Sequence, residues 1–414
     1  MDFESLFDIP IDDLHTPCYL TDARLLQKNT ALLKQIQQRT GCKILLAQKA
    51  FSMFSAYPLI RDDLAGTTAS GLFEAKLGRE HFGKEVHVFS PAYTQEDFTQ
   101  LLELCDHIVF NSFGQWKKYR QQVQDATRNI SCGIRINPGY AEVETVLYNP
   151  CISGSRMGVP LEQTEEEGFD GLDGIHFHTM CEQNSDVLER TLDQMLPKFD
   201  KWLKRCKWVN FGGGHHITRP DYDVERLVRC VERVRDAYGV QVYLEPGEAV
   251  ALNAGYLVAT VLDIVHNGMD IAILDASAAC HMPDVLEMPY RPHILYSGKP
   301  EEKVHTYRLA GNTCLAGDVI GDYSFDHRLQ PGDKLVFCDM AIYSMVKNNT
   351  FNGVPLPDIA LYQNGKIELV KHFGYADFPV TIHRLSRSSV SLNAASLQEY
   401  AMRHYFYWNY PYAR

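Results

Sequence analysis

The sequence has no excess of positive charge. Its formal net charge is −12, which argues against nucleic acid and acidic membrane surfaces as partners and is compatible with a cationic small molecule. An acidic solvated surface that only aids solubility accounts for the same balance. Paired cysteines are also missing. The 11 cysteines are odd in number, with no CxxC pair and no zinc-type spacing, so neither a disulfide framework nor a structural metal site is expected. The opening stretch MDFESLFDIPIDDL is acidic and lacks a long apolar core. No signal peptide is therefore expected, and the thiols read as reduced thiols of a cytoplasmic protein. No run approaches the ~18 apolar residues of a membrane helix. Internal repeats and low-complexity segments are absent as well.

What is present is the composition of an ordinary soluble globular protein, with 45% hydrophobic and 22% charged residues. At 414 residues the chain can hold two domains, or a barrel with an appendage. Eight short apolar runs of strand character lie between residues 43 and 247: KILLAQKA (43–50), GTTAS (66–70), VHVFS (86–90), HIVFN (107–111), GIRIN (133–137), GIHFH (174–178), WVNFGGG (208–214) and QVYLEPG (241–247). Several intervals, such as TQEDFTQLLEL and DVERLVRCVERVRDAYG, have helical apolar spacing. Eight alternations of strand and helix predict a (β/α)8 TIM-like barrel over 23–260, and near-continuous apolar runs suit parallel strands buried on both faces. A doubly wound open sheet is the alternative. After residue 260 short, turn-separated runs such as DIAILDAS, KVHTYRLAG, DKLVFCDM and DIALYQNGKIELV predict a second, mostly antiparallel β domain over 261–414. Residues 1–22, with TPCYLTD, are expected to join it.

Barrel enzymes carry their chemistry at the C-terminal ends of the strands. Here those ends hold Lys49, Ser70, Asn111, Arg135, His178, the triplet Gly212, Gly213 and Gly214, and Glu245. A lysine closing an apolar strand either snorkels to water or is desolvated into a nucleophilic amine. Consecutive glycines beyond the seventh strand let backbone N–H groups approach an anion, although a flexible turn has the same composition. They lack the GxxxxGK[ST] lysine and the GxGxxG spacing, so a nucleotide-binding loop is a poor reading. Glu245 can hold a protonated pyridine nitrogen or serve as a plain ion-pair partner. His176 and His178 share one face of their strand, and His178 is favoured only because it is nearer the end. Amine, anion cradle and acid together fit one cofactor, pyridoxal 5′-phosphate.

The motifs LAQKAFS, GIHFHTMCE, NFGGGHH, LEPGEAV, LAGNTCLAGDVIGDY and MAIYSMVKNNTFNG resemble, in order and over nearly the whole chain, the fold-type III pyridoxal-phosphate decarboxylases. That family includes ornithine, diaminopimelate and carboxynorspermidine decarboxylases. QKAFS, HTMCE and EPGEAV are most similar to the carboxynorspermidine (carboxyspermidine) branch. The resemblance implies an alanine racemase-like two-domain fold and a homodimer with shared active sites. It implies that Lys49 bonds covalently to the cofactor aldehyde, that His178 stacks on the ring and that Glu245 pairs with its nitrogen. Gly212, Gly213, Gly214 and Tyr343 then bind phosphate, and Cys314, supplied across the dimer interface, donates a proton. On residue type alone Cys314 would be a buried structural thiol.

Two positions depart from the ornithine enzymes. Glu248 replaces the arginine of EPGR, and an acid repels phosphate, so Glu248 is expected to face a substrate amine. Leu315 stands where relatives carry an acid that meets the far end of the substrate. Asp275 and Asp284 are the candidates to replace it, each with a plain turn or cap role as the alternative. The expected activity is decarboxylation of carboxynorspermidine or carboxyspermidine in polyamine biosynthesis. Diaminopimelate decarboxylation, racemisation and a non-catalytic cofactor-binding homologue are the alternatives. The roles of Ser70, Asn111, Arg135, Cys181 and Glu182 stay open.

Overall fold

The computed structural model describes residues 7–164 and 167–378. All eight expected barrel strands form: β2 Lys43–Ala47, β3 Gly66–Ala69, β4 Glu85–Phe89, β5 His107–Phe110, β6 Ser131–Asn137, β8 Gly174–His176, β9 Trp208–Asn210 and β10 Gln241–Leu244. Two other strands fall earlier and between them, β1 Cys18–Asp22 and the two-residue β7 Val159–Pro160, which adds only to the rim of β6. Neighbouring barrel strands are parallel, and the ring closes where β10 meets β2, with Tyr243 opposite Lys43. Closure removes the open edges of a doubly wound sheet. The barrel strands are almost entirely buried, as parallel strands wrapped by helices must be.

Local signals set the helices. Asp22 caps the helix Ala23–Thr40 by accepting from the N–H of Arg24, and Gly41, at φ 72°, ends it. The helices Gln95–Leu104, Phe113–Gln124, Ser185–Leu203 and Val224–Tyr238 fall on the segments whose apolar spacing predicts them. Pro197 sits inside the third of these.

The second sheet comprises β1, β11 Gly255–His266, β12 Asp270–Leu274, β13 His305–Ala310, β14 Val319–Phe325, β15 Lys334–Cys338, β16 Asp358–Gln363 and β17 Lys366–Lys371. Most pairings are antiparallel, while β1 with β16 and β12 with β13 are parallel. β11 begins at Gly255, before the expected change at 260, and pairs in turn with β1, β15 and β12 across a bulge between Val261 and Asp263. β1 lies at the centre of this sheet, and its last residue caps the first barrel helix, so one short segment joins both sheets. Residues 7–373 belong to one compact unit; residues 374–378 are the described part of a second. Residues 1–6 and 379–414, expected in the β domain, lie outside the described residues.

Candidate active site

The strand ends converge as the sequence predicts, but several groups are already committed to one another. Glu245, just beyond β10, is buried; its Oε1 accepts from Asn210 Nδ2 at 2.8 Å and its Oε2 lies 3.1 Å from His176 Nε2. Burial pushes this carboxyl up, but the attraction and hydrogen bond of His176, with His87 and Asn210, overcome burial and hold it down at about 2. His176 is thus the orienting partner of Glu245, and its other ring nitrogen, Nδ1, has no partner.

His178 occupies a different place. Its Nδ1 accepts from the N–H of Gly213 at 2.9 Å, which fixes the ring and leaves the proton on Nε2. Burial, with Lys49 and Arg135 nearby, holds it far below the ordinary imidazole range, so it is neutral. The Gly212 N–H donates to Asn210 Oδ1 at 2.8 Å. Two of the three glycine N–H groups expected to bind phosphate are therefore spent inside the protein.

The triplet is glycine for a second reason, close approach. A Cβ would stand 2.4 Å from the Phe177 carbonyl oxygen at Gly212, 2.7 Å from that of Glu245 at Gly213, and 2.0 Å from that of Met180 at Gly214. Gly212 and Gly214 also adopt φ of 68° and 81°.

Lys49 follows β2 with an accessible side chain, although protein atoms crowd around its amine. Burial lowers its ammonium pKa, and Arg135 lowers it further, against the opposing pull of Glu245, Cys181 and Glu74. Arg135, at the end of β6, is buried; it donates to the His178 carbonyl at 3.2 Å and lies 4.6 Å over the Phe89 ring. Its Nε has no partner.

Beside Lys49 carboxyl groups crowd together. Glu248 is pushed well up by burial, then by Glu182 and Asp339; Asp339 rises to about 6 through burial and Glu182; Glu182 rises through burial and Asp284. Cys181 connects the two regions, since Glu182, Glu248 and Lys49 all act on it. Tyr343 and Tyr290 face the same acids. Glu182, Asp339 and Tyr343 all have left-handed backbones, φ 53°, 57° and 54°, a conformation that costs roughly 1 kcal/mol or more per residue and persists where the surroundings dictate it. The Tyr343 N–H donates to the carbonyl of Ala50, next to Lys49, at 2.9 Å.

The remaining predicted acids divide. Asp284 reaches the edge of the cluster but is paired with Lys347, which also bonds Glu287 at 2.8 Å. Asp275 is not brought there. Thr16 Oγ1 donates to its Oδ2 at 2.6 Å and the Thr260 N–H to its Oδ1 at 2.8 Å, so it ties the segment before β1 to β11. Ser70 and Asn111 serve loops: the Ser70 N–H bonds Glu74, and Asn111 accepts from Gly158 and donates to Arg156. Cys314 is exposed, not buried, and its N–H donates to Asn352 Oδ1 at 2.7 Å. Its loop is fixed by buried Asp318, which accepts from Ser277, Thr313 and the Ala279 N–H. Sequence reasoning missed Asp339 and Tyr290, and left Arg135, Cys181 and Glu182 without roles. For Glu182 the available signal was its position directly after HFHTMC.

Comparison with known proteins decides the family. The model of the pyridoxal-dependent decarboxylase, C-terminal sheet domain, family matches residues 18–341. The chain belongs to the pyridoxal-dependent decarboxylases. Among these, it is 42% identical to a carboxynorspermidine/carboxyspermidine decarboxylase of Campylobacter jejuni, over 89% of this chain and 98% of that one. It is 42% identical to a carboxyaminopropylagmatine decarboxylase of a Synechocystis species, over 89% and 95% of the two chains. The crystal structure of the Campylobacter jejuni carboxynorspermidine decarboxylase complexed with norspermidine superposes with a TM-score of 0.83 at 41% identity, covering 89% of this chain and all of that one. A diaminopimelate decarboxylase of Thermoplasma acidophilum matches at 25% identity over 71% of this chain.

As a pyridoxal-dependent decarboxylase, the chain uses pyridoxal phosphate, and the site fits it. An amine kept easy to deprotonate, an ionised buried carboxylate and a neutral imidazole surround one recess. The unpartnered Arg135 Nε and a cradle that a single Cβ would fill complete it.

Proposed function

We propose that this decarboxylase removes CO2 from carboxynorspermidine or carboxyspermidine, producing norspermidine or spermidine for polyamine biosynthesis. The observation that carries the reading is the set of carboxyl groups, Glu182, Glu248 and Asp339, which crowd and raise one another beside Lys49. Without a cation such a cluster is unfavourable, and a long polyamine supplies one through charge-assisted hydrogen bonds. The far end of diaminopimelate carries a carboxylate, which the same acids repel. The equal likeness to a carboxyaminopropylagmatine decarboxylase favours a second reading: a guanidinium end, which a carboxylate can grip with two hydrogen bonds.

Pyridoxal phosphate, when bound, supplies an aldehyde and an electron-accepting ring. Lys49, its amine kept easy to deprotonate, would hold that aldehyde covalently and assist product release. Glu245, ionised and held by Asn210 and His176, would keep the ring nitrogen protonated. His178 presents a flat neutral imidazole, and Arg135 keeps the lysine amine easy to deprotonate. Gly214, whose carbonyl accepts from Gln183, joins Tyr343 toward the phosphate, while Gly212 and Gly213 shape the cradle. Glu248, Asp339 and Glu182 bind the substrate amines, with Asp284 at the edge of the site. Cys314, from a partner subunit, would donate a proton to the α-carbon in place of the departing CO2. The exposed Leu315 beside it, with exposed Phe351 next to Asn352, its hydrogen-bond partner, supports a subunit interface and hence a homodimer. Eleven free cysteines support a cytoplasmic location.

Carbon dioxide release, assayed side by side on carboxynorspermidine, carboxyspermidine, carboxyaminopropylagmatine and diaminopimelate, tests the reading. The first two are expected to exceed diaminopimelate in kcat/KM by about 100-fold or more, the scale of a misplaced like charge. Equal or better turnover of diaminopimelate would overturn it. A clear preference for the agmatine derivative would establish the second reading.

The acid cluster also predicts a pH dependence. Each of these carboxyls keeps its proton to higher pH in the folded chain than in the unfolded one. Their contribution to stability is therefore complete at low pH and is lost as pH rises through the folded values. For Asp339, between its ordinary 3.8 and about 6, that loss is roughly 3 kcal/mol. Polyamine binds the ionised acids, so the rise in Tm given by norspermidine should grow as pH rises through 6, and KM should climb below it. In the Glu248→Gln/Asp339→Asn variant both effects should largely vanish. A norspermidine shift that ignores pH, or survives the substitutions, counts against this assignment.

A further inference from the structure

Away from the active site, two exposed histidines flank one buried carboxylate. Asp358 opens β16 with its side chain only 3% exposed, whereas His15, just before β1, and His372, just after β17, are 69% and 59% exposed. His15 Nδ1 lies 3.0 Å and His372 Nδ1 2.9 Å from the same oxygen, Asp358 Oδ2. The two imidazoles meet edge to face at 5.5 Å and 74°. We propose that His15, Asp358 and His372 form a binding site for a borderline divalent transition ion, zinc above all, that clips the segment before β1 to the end of β17.

Three features carry this. The other carboxylate oxygen, Oδ1, accepts from the Phe373 N–H at 3.0 Å, and the Asp358 N–H donates to the Pro17 carbonyl at 2.9 Å. Oδ2 is therefore held pointing outward, the kind of support that orients metal ligands. Next, all three candidate ligand atoms lie within 4.8 Å of one another. Ligands about 2.0–2.2 Å from a tetrahedral ion are roughly 3.3 Å apart, so side-chain rotations that bring the two imidazole nitrogens together by at most about 1.5 Å would complete the set. Finally, the imidazoles are at the surface, so an ion and a fourth ligand from water can reach the site while Asp358 supplies the negative charge. Two nitrogens with one oxygen suit zinc, cobalt, nickel or copper and disfavour magnesium and calcium, which prefer all-oxygen sites.

A second group of this kind, Glu85, His87 and His107 at the opposite end of the barrel strands, is less suited. There Lys43 bonds Glu85 directly, so an ammonium already occupies the place a metal cation would take. Asp275 lies near His15 but has both oxygens bonded to Thr16 and Thr260, and it is not a ligand.

The test uses the full-length holoenzyme stripped with a chelator and dialysed. Zinc titrated by calorimetry should bind at one equivalent per chain, tighter than about 10 μM, and raise Tm by several degrees; magnesium should do neither. His15→Ala and His372→Ala should each weaken that equivalent at least tenfold while leaving decarboxylase activity unchanged, because neither residue belongs to the active site. Cobalt provides a reading independent of folding energy. Its visible absorption should show a four- or five-coordinate site in the wild type and in His15→Cys, which restores a ligand, and lose that signature in His15→Ala. No stoichiometric uptake of zinc, or uptake unchanged in both alanine variants, would overturn the proposal.

Discussion

Lys49→Ala is expected to fold, to bind no chromophore in the visible range, and to lose decarboxylation by roughly four orders of magnitude or more. Folding should survive because the substitution removes a desolvated ammonium that already lies beside Arg135. Without cofactor, the Tm of the variant should equal or exceed that of the wild type, since the surroundings of Lys49, Arg135 among them, disfavour its ammonium in the folded state. These three results separate a chemical role from a structural one. A lysine that merely snorkelled would leave the visible band intact, and one that held the barrel together would lower Tm. Absorbance, calorimetry and CO2 release on the same preparation check all three.

Mixing two dead enzymes should restore activity. If Cys314 serves the site of a partner chain, Lys49→Ala and Cys314→Ala homodimers each lack one essential group at both of their sites. A dimer with one chain of each kind has one complete site. After dissociation and reassociation of equal amounts, about half the dimers are mixed, so activity should return to about a quarter of the wild-type value. The exposed thiol on a loop fixed by Asp318 motivates the experiment. Failure to exceed the sum of the separate variants, with mixed dimers confirmed by mass, would place Cys314 outside the reaction or within its own chain's site.

Much of the barrel was legible because parallel strands buried on both faces are written as short apolar runs, and all eight runs became strands. β11 and β14 were not. The first half of β11 is buried and its second half largely exposed, so Gly255–His266 shows no single period. β14 contains Gly321 and Asp322, the latter paired with Arg308 at 2.8 Å, and reads as a turn. The placement of Lys49, His178 and Glu245 beyond the ends of β2, β8 and β10 was legible because strand ends are fixed by the fold. Of the acid cluster only Glu248 was legible, through its departure from EPGR; Glu182 and Asp339 come from separate loops and are placed by left-handed backbone. Asp275, a candidate for the acid missing at Leu315, is held elsewhere by Thr16, 259 residues earlier. The glycine triplet showed where the backbone comes close. It did not show that two of its N–H groups are turned toward Asn210 and His178.

Borohydride reduction of the holoenzyme, followed by peptide mass spectrometry, tests the covalent role of Lys49 most directly. A pyridoxyl group should be fixed on the peptide that carries LAQKAFS, at Lys49, at about one per chain. Its appearance on another lysine, or recovery of that peptide unmodified from fully loaded enzyme, would contradict the account.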